Sequence, residues 1–246
     1  MISPGLVSIT FRKLAVTDII ALVRQAQLAG IEWGGDVHVP PGNATLARHV
    51  RQQTLDAGLA VAAYGSYYRV GENQPFEPVL ESAIALGAPT IRVWPGGLAS
   101  DKADVTYRQR VVEDSRRIAD LAGKAGISIS YEYHAGTLTD TDASAQQLLR
   151  AVDHPNVFTL WQPHNGAAFE ANLAGLRGVL PRVSNVHVFH WWPDATVRLP
   201  LADGAERWRK YLAALTGKHW VLLEFVAGDD PDNFLRDAAT LRSWLT

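Results

Sequence analysis

Short runs rich in β-branched and aromatic residues alternate along the chain with longer stretches of 3.6-residue hydrophobic period. That alternation predicts βα units around a parallel sheet. The predicted strands are Leu6–Thr10, Ile31–Trp33, Leu59–Tyr64, Thr90–Trp94, Ile127–Tyr133, Val157–Gln162, Asn185–Phe189 and Trp220–Phe225. In the first helix Ile19, Ile20, Leu22, Val23 and Ala26 form the apolar side, and Thr17 reads as its N-cap. The longest helix runs from Tyr107 to Ala125, turns Val111, Val112, Ile118, Leu121 and Ala122 inward, and stops at Gly126.

Glycine punctuates the repeat. Gly30, Gly58, Gly87 and Gly126 each stand at a helix end just before the next strand, where the left-handed C′ conformation suits a residue without Cβ. Eight strands in 246 residues give a repeat of about 31 residues. An open doubly wound sheet normally has fewer strands and a glycine-rich phosphate loop after the first, and this chain meets neither condition. The expected fold is α/β, a single-domain (β/α)8 TIM barrel over residues 1–246.

Composition narrows the partners. Net charge is −2, with no cluster of Lys and Arg, so a nucleic-acid partner is not expected. There is no cysteine, which excludes disulfides, thiolate metal sites and a cysteine nucleophile. No apolar run approaches a membrane span and Met1–Phe11 lacks the features of a signal peptide. A cytoplasmic protein with no membrane partner is expected; the aromatic mouth loops leave a homo-oligomer open.

A barrel of this kind carries its chemistry at the C-terminal ends of its strands. Glu132, Gln162, His187 and Glu224 stand at or near such ends. In the fifth strand Ser128, Ser130 and Glu132 share one parity, and Ile129, Tyr131 and Tyr133 the other, so the small and polar set should face the lumen. In the eighth, Leu222 and Glu224 share a face; a carboxylate among Val221, Leu222, Leu223 and Phe225 is costly unless it is paired or holds a metal. A structural ion pair with an inward Arg is the plain alternative. Two carboxylates, an imidazole and an amide oxygen suit one divalent ion of the Mn²⁺, Mg²⁺, Co²⁺ or Zn²⁺ kind.

These residues resemble the xylose-isomerase-like barrel superfamily of sugar-phosphate isomerases and epimerases. Tyr131-Glu132-Tyr133-His134 is similar to its first metal motif, Val186-His187-Val188-Phe189 to its histidine strand and Leu222-Leu223-Glu224 to its closing strand. The segment from Leu199 to Trp208 resembles the loop before its seventh helix. The resemblance implies a metal held by Glu132, Gln162, His187 and Glu224, with Glu132 and Glu224 as acid and base in proton transfer beside a carbonyl, through an enediolate. It departs at Gln162, which stands where the family has Asp: the amide oxygen still coordinates but brings no charge.

Trp33, His38, Tyr67, Trp94, His134, His164, Asn165 and His190 fall in or beside the expected mouth loops and suit a small carbohydrate, such as a ketose, polyol or cyclitol. The last loop, with Asp229, Asp230 and Asp232, disfavours a phosphate there. Two alternatives stay open: a metal-dependent dehydratase or lyase of an inosose or dehydroshikimate-like acid, and a metal-free binding barrel, which Gln162 motivates.

Overall fold

The computed structural model describes residues 1–245. Strands β1 (Ile2–Val7), β2 (Gly30–Gly34), β3 (Ala60–Arg69), β4 (Thr90–Trp94), β5 (Ser128–Tyr131), β6 (Val157–Trp161), β7 (Val183–Val188) and β8 (His219–Leu223) alternate with eight helices. These are α1 (Val16–Gln25), α2 (Ala44–Asp56), α3 (Glu77–Leu86), α4 (Val105–Gly123), α5 (Asp142–Val152), α6 (Phe169–Val179), α7 (Ala205–Ala214) and α8 (Pro231–Leu245). Each strand pairs in parallel with the next and β1 with β8, so the sheet closes into a (β/α)8 barrel.

Closure corrects the first strand. β1 spans Ile2–Val7 because Ile2 through Leu6 pair with His219 through Leu223, and Ser8–Phe11 curl into a 3-10 turn. That turn is tied to neighbouring strand ends: Ser8 Oγ accepts the Gly34 N–H at 2.9 Å and Thr10 Oγ that of Phe225 at 3.0 Å. Thr17 is not a cap, since α1 begins at Val16 with Ala15 at the N-cap. α4 starts before Tyr107 because Asp104 caps it, its carboxylate accepting the Tyr107 N–H at 2.7 Å.

Three of the four junction glycines, Gly58, Gly87 and Gly126, take positive φ as expected. Gly30 does not. There the left-handed residue is Gln27 (φ 55°), and Gly30 serves close packing: a Cβ would stand 2.7 Å from the Trp220 ring and 2.8 Å from the Ala60 carbonyl oxygen.

The main core fills the layer between sheet and helices. Trp161 stacks edge-on against Trp208 and Tyr211, and Trp208 donates its indole N–H to the Phe189 carbonyl at 2.7 Å. Inside the barrel, Val7, Ile9, Ala62 and Leu222 form a separate apolar cluster. Ser130 on β5 and Ser184 on β7 meet at 2.6 Å although these strands are not neighbours, while Tyr131 donates outward to Ser115 on α4. The parity predicted for β5 holds. Among the described residues no helix is long and apolar enough to cross a membrane.

Asp237 on α8 anchors the loop before α7 by accepting the Leu201 N–H at 2.9 Å. Burial pushes its carboxyl up to about 6, against the opposing pull of that bond and of Arg236. A folded-state value above the unfolded one favours the protonated native form, so its stabilising contribution is present at low pH and is lost as pH rises through about 6. Asp237→Asn keeps the acceptor oxygen and removes the ionisation. It is expected to raise stability at about pH 8 by on the order of 2 kcal/mol and to leave it unchanged near pH 4, read by urea unfolding at both.

Candidate active site

The strands deliver their polar ends to one place. Glu132 directly follows β5, its backbone N–H still bonded to the Val93 carbonyl at 3.0 Å, and Glu224 directly follows β8, bonded to Val188 at 3.1 Å. After Glu224 the chain turns sharply through Phe225, whose φ of 47° lies in the left-handed region, at a cost of about 1 kcal/mol. Thr10 Oγ holds its N–H, and Trp191 donates to its carbonyl at 3.2 Å.

One atom from each of Glu132, His187 and Glu224 lies within 4.8 Å of the others, and all three side chains are buried. Glu132 and Glu224 also line a mouth pocket of about 520 Å³, together with Tyr67, Trp94, His134, Gln162, His164, Asn165 and Trp191. That volume is within the ~300–1,000 Å³ of small-molecule pockets. The Gln162 amide nitrogen donates to the Tyr133 carbonyl at 2.6 Å. Trp94 donates its indole N–H to Glu132 Oε2 and stacks on His134 with ring centres 4.3 Å apart. Tyr67 lies edge-on to Trp94, and its hydroxyl accepts from Arg12 at 2.9 Å.

Two residues expected to bind substrate, Trp33 and His38, lie elsewhere, and His190 stands beside the pocket rather than on its wall. Trp33 points into the helix layer and donates to Thr54 Oγ1 on α2 at 3.1 Å, because Ile31 and Trp33 share the outward parity of β2. His38 is buried between Ser8 Oγ, at 3.0 Å, and the Leu14 carbonyl, at 3.3 Å. His190 packs where a Cβ on Gly204 would stand 2.9 Å from its Nδ1, and it lines a small cleft with Trp192 and Arg207 that shares His164, Asn165 and Trp191 with the mouth pocket.

The structure adds two groups that sequence reasoning missed, Glu32 and Arg92, both essentially inaccessible to solvent. Arg92 Nε lies 3.2 Å from Glu32 Oε1, and its Nη1 donates to Glu132 Oε2. His187 sits between Glu32 Oε2, 3.2 Å from its Nε2, and Glu224 Oε2, 3.3 Å from its Nδ1. Burial works against charge on His187, but Glu224 and Glu32 more than offset it and lift the imidazole to about 10. Burial opposes ionisation of Glu32 too; His187 and Arg92 carry its carboxyl below the usual range. The signal was available: Ile31 and Trp33, and likewise Ile91 and Val93, flank a charged residue of opposite parity.

The donor set fits a divalent cation. Gln162 Oε1 and His187 Nδ1 are buried without a hydrogen-bond partner among the described residues. Three buried carboxylates against Arg92 and a protonated His187 leave one negative charge in excess. A divalent ion with neutral His187 would balance it.

The family described as xylose isomerase-like TIM barrel matches residues 20–244. The chain belongs to that family. It is also similar to the 3-dehydroshikimate dehydratase of Bacillus anthracis, 27% identical over 174 residues, which are 62% of this chain and 59% of that protein. The match therefore spans little more than half of that relative's length. Among solved structures, the barrel superimposes on the probable 3-DHS dehydratase AsbF of Bacillus anthracis with a TM-score of 0.78 and 21% identity, covering 98% of this chain and 99% of that one. The E. coli 3-keto-D-glucoside 4-epimerase YcjR gives a TM-score of 0.73 at 16% identity, covering 99% and 100%. At these identities the structural likeness shows the shared barrel.

Proposed function

We propose that this barrel is a divalent-metal-assisted isomerase or epimerase of a small polyhydroxylated carbohydrate, with Glu132 and Glu224 as the acid–base pair. One observation carries the reading: two buried carboxylates and a buried imidazole converge within 4.8 Å, with Glu132 and Glu224 on the wall of a single aromatic pocket.

Glu132, His187, Glu224 and the Gln162 amide oxygen would hold the ion, which when bound supplies Lewis-acid polarisation of a substrate carbonyl. The chain's own groups carry the rest. Arg92 and Trp94 both donate to Glu132 Oε2, which orients that carboxylate and leaves Oε1 as the edge that takes a proton. Glu224, fixed by its backbone bond to Val188 and the turn at Phe225, serves the other proton position. Tyr67, Trp94 and Trp191 line the pocket with apolar ring surface for the C–H groups of a sugar, and His134, His164 and Asn165 offer bonds to its hydroxyls.

The 27% identity to a dehydratase favours a second reading, in which the same proton abstraction is followed by loss of water. The two part at the product, because dehydration creates a conjugated chromophore. The test is metal analysis of the purified protein, then incubation in D₂O with D-psicose, D-fructose and 3-dehydroshikimate. Deuterium uptake into a ketose, restored by Mn²⁺ or Co²⁺ after chelation, supports the isomerase reading. Ultraviolet absorbance growing from 3-dehydroshikimate alone supports the dehydratase. A protein that takes up no metal and exchanges no proton sinks both.

Gln162→Asp would restore a third anionic ligand. It is expected to tighten Mn²⁺ binding about tenfold, equal to about 1.4 kcal/mol, measured by titration calorimetry. Unchanged affinity would remove Gln162 from the ligand set.

A further inference from the structure

A continuous chain of buried charge crosses the barrel: Glu224 to His187, His187 to Glu32, Glu32 to Arg92, and Arg92 to Glu132. None of the five is more than 4% exposed. Glu32 is the member without a role so far, since it does not line the mouth pocket; its carboxylate faces His187 with one oxygen and Arg92 with the other. Glu32 and Arg92 sit on β2 and β4, which are not neighbours, and meet across β3 at Gly65. A Cβ there would stand 2.8 Å from Glu32 Oε1 and 2.9 Å from Arg92 Nη2, so only glycine leaves the bridge room.

We propose that Glu32 is the positioning residue that decides which nitrogen His187 presents to the mouth. An ionised carboxylate only accepts, so the hydrogen between Glu32 Oε2 and His187 Nε2 belongs to the nitrogen. A neutral His187 held this way turns the lone pair of Nδ1 toward Glu224, on the side where Glu132 and Glu224 converge. Arg92 fixes the Glu32 carboxylate through Oε1 and, at its other end, fixes Glu132. Metal-ligating histidines commonly depend on such a carboxylate, and losing it typically costs 10–100-fold in metal affinity. This inference rests on the metal-centred reading above.

The test titrates Mn²⁺ into wild type, Glu32→Gln and Glu32→Asp, with melting temperature recorded for each. Expected is an affinity about 10–100-fold weaker in Glu32→Gln, partly recovered in Glu32→Asp, which keeps the anionic acceptor. A merely structural role would lower the melting temperature of Glu32→Gln and leave the affinity of the folded fraction unchanged; that result overturns the inference. A second arm needs no variant: long-range ¹H–¹⁵N correlation on Zn²⁺-loaded wild type should show His187 Nε2 carrying the hydrogen and Nδ1 bound to metal. The reversed pattern also overturns it. If wild type binds neither ion, the metal-centred reading itself falls and takes this one with it. If wild type binds and Glu32→Gln binds equally well, only the role of Glu32 falls.

Discussion

Glu132→Gln and Glu224→Gln are each expected to lower turnover by about 10²–10⁴-fold, the usual worth of a positioned acid or base. An amide of the same shape fills the same space but takes no proton at neutral pH. The two losses should differ in kind. With two carboxylates serving two proton positions, removing one stops exchange from one epimer and spares the first half-reaction of the other. Measured in D₂O with a D-psicose and D-fructose pair, Glu132→Gln and Glu224→Gln should therefore block exchange from opposite members. Exchange from both members at the wild-type rate in either variant would refute the assignment of that carboxylate.

The two variants should also part in stability. Glu132 shares Arg92 with Glu32, and its replacement leaves the guanidinium with one carboxylate instead of two. Glu224 has His187 as its one ion-pair partner within 4 Å among the described residues, with Arg92 acting on it from farther away. A melting temperature lowered more in Glu132→Gln than in Glu224→Gln separates support of the lumen from proton transfer.

Strand parity decided how much of this arrangement could be read from the sequence. Where a strand alternates small or polar with bulky residues, as Ser128–Tyr131 does, the side chains that enter the lumen follow directly, and Glu132 and Glu224 were found that way. Applied to Gly30–Gly34 and Thr90–Trp94, the same rule turns Glu32 and Arg92 inward and sends Trp33 toward the helices. Proximity in sequence to a strand end misled for Trp33 and His38, since a mouth loop can fold its side chains against the barrel wall as readily as over the pocket. The pairing of Glu32 with Arg92 was beyond sequence reading for another reason. It depends on two strands that are not neighbours and on the missing Cβ of Gly65 between them, a three-dimensional juxtaposition that carries no local signal.

Arg92 is where stability and chemistry meet, and its loss should be the most damaging single change to the fold. The side chain is 2% exposed and is the guanidinium within salt-bridge distance of both Glu32 and Glu132. Arg92→Leu would leave three buried carboxylates, Glu32, Glu132 and Glu224, against His187, and breaking a buried pair from one side typically costs about 3–5 kcal/mol. For a domain of this size each kcal/mol is worth about 2–4 °C, so a melting temperature lower by about 10 °C is expected. Arg92→Lys should fall between, because an ammonium keeps the charge but not the fork that reaches both carboxylates. If the penalty comes from stranded charge rather than lost volume, adding Glu32→Gln to Arg92→Leu should return part of the stability, although it removes another native group. A double variant that is less stable than Arg92→Leu by the full cost of Glu32→Gln alone would show the two sites to be independent, against the geometry that joins them across Gly65.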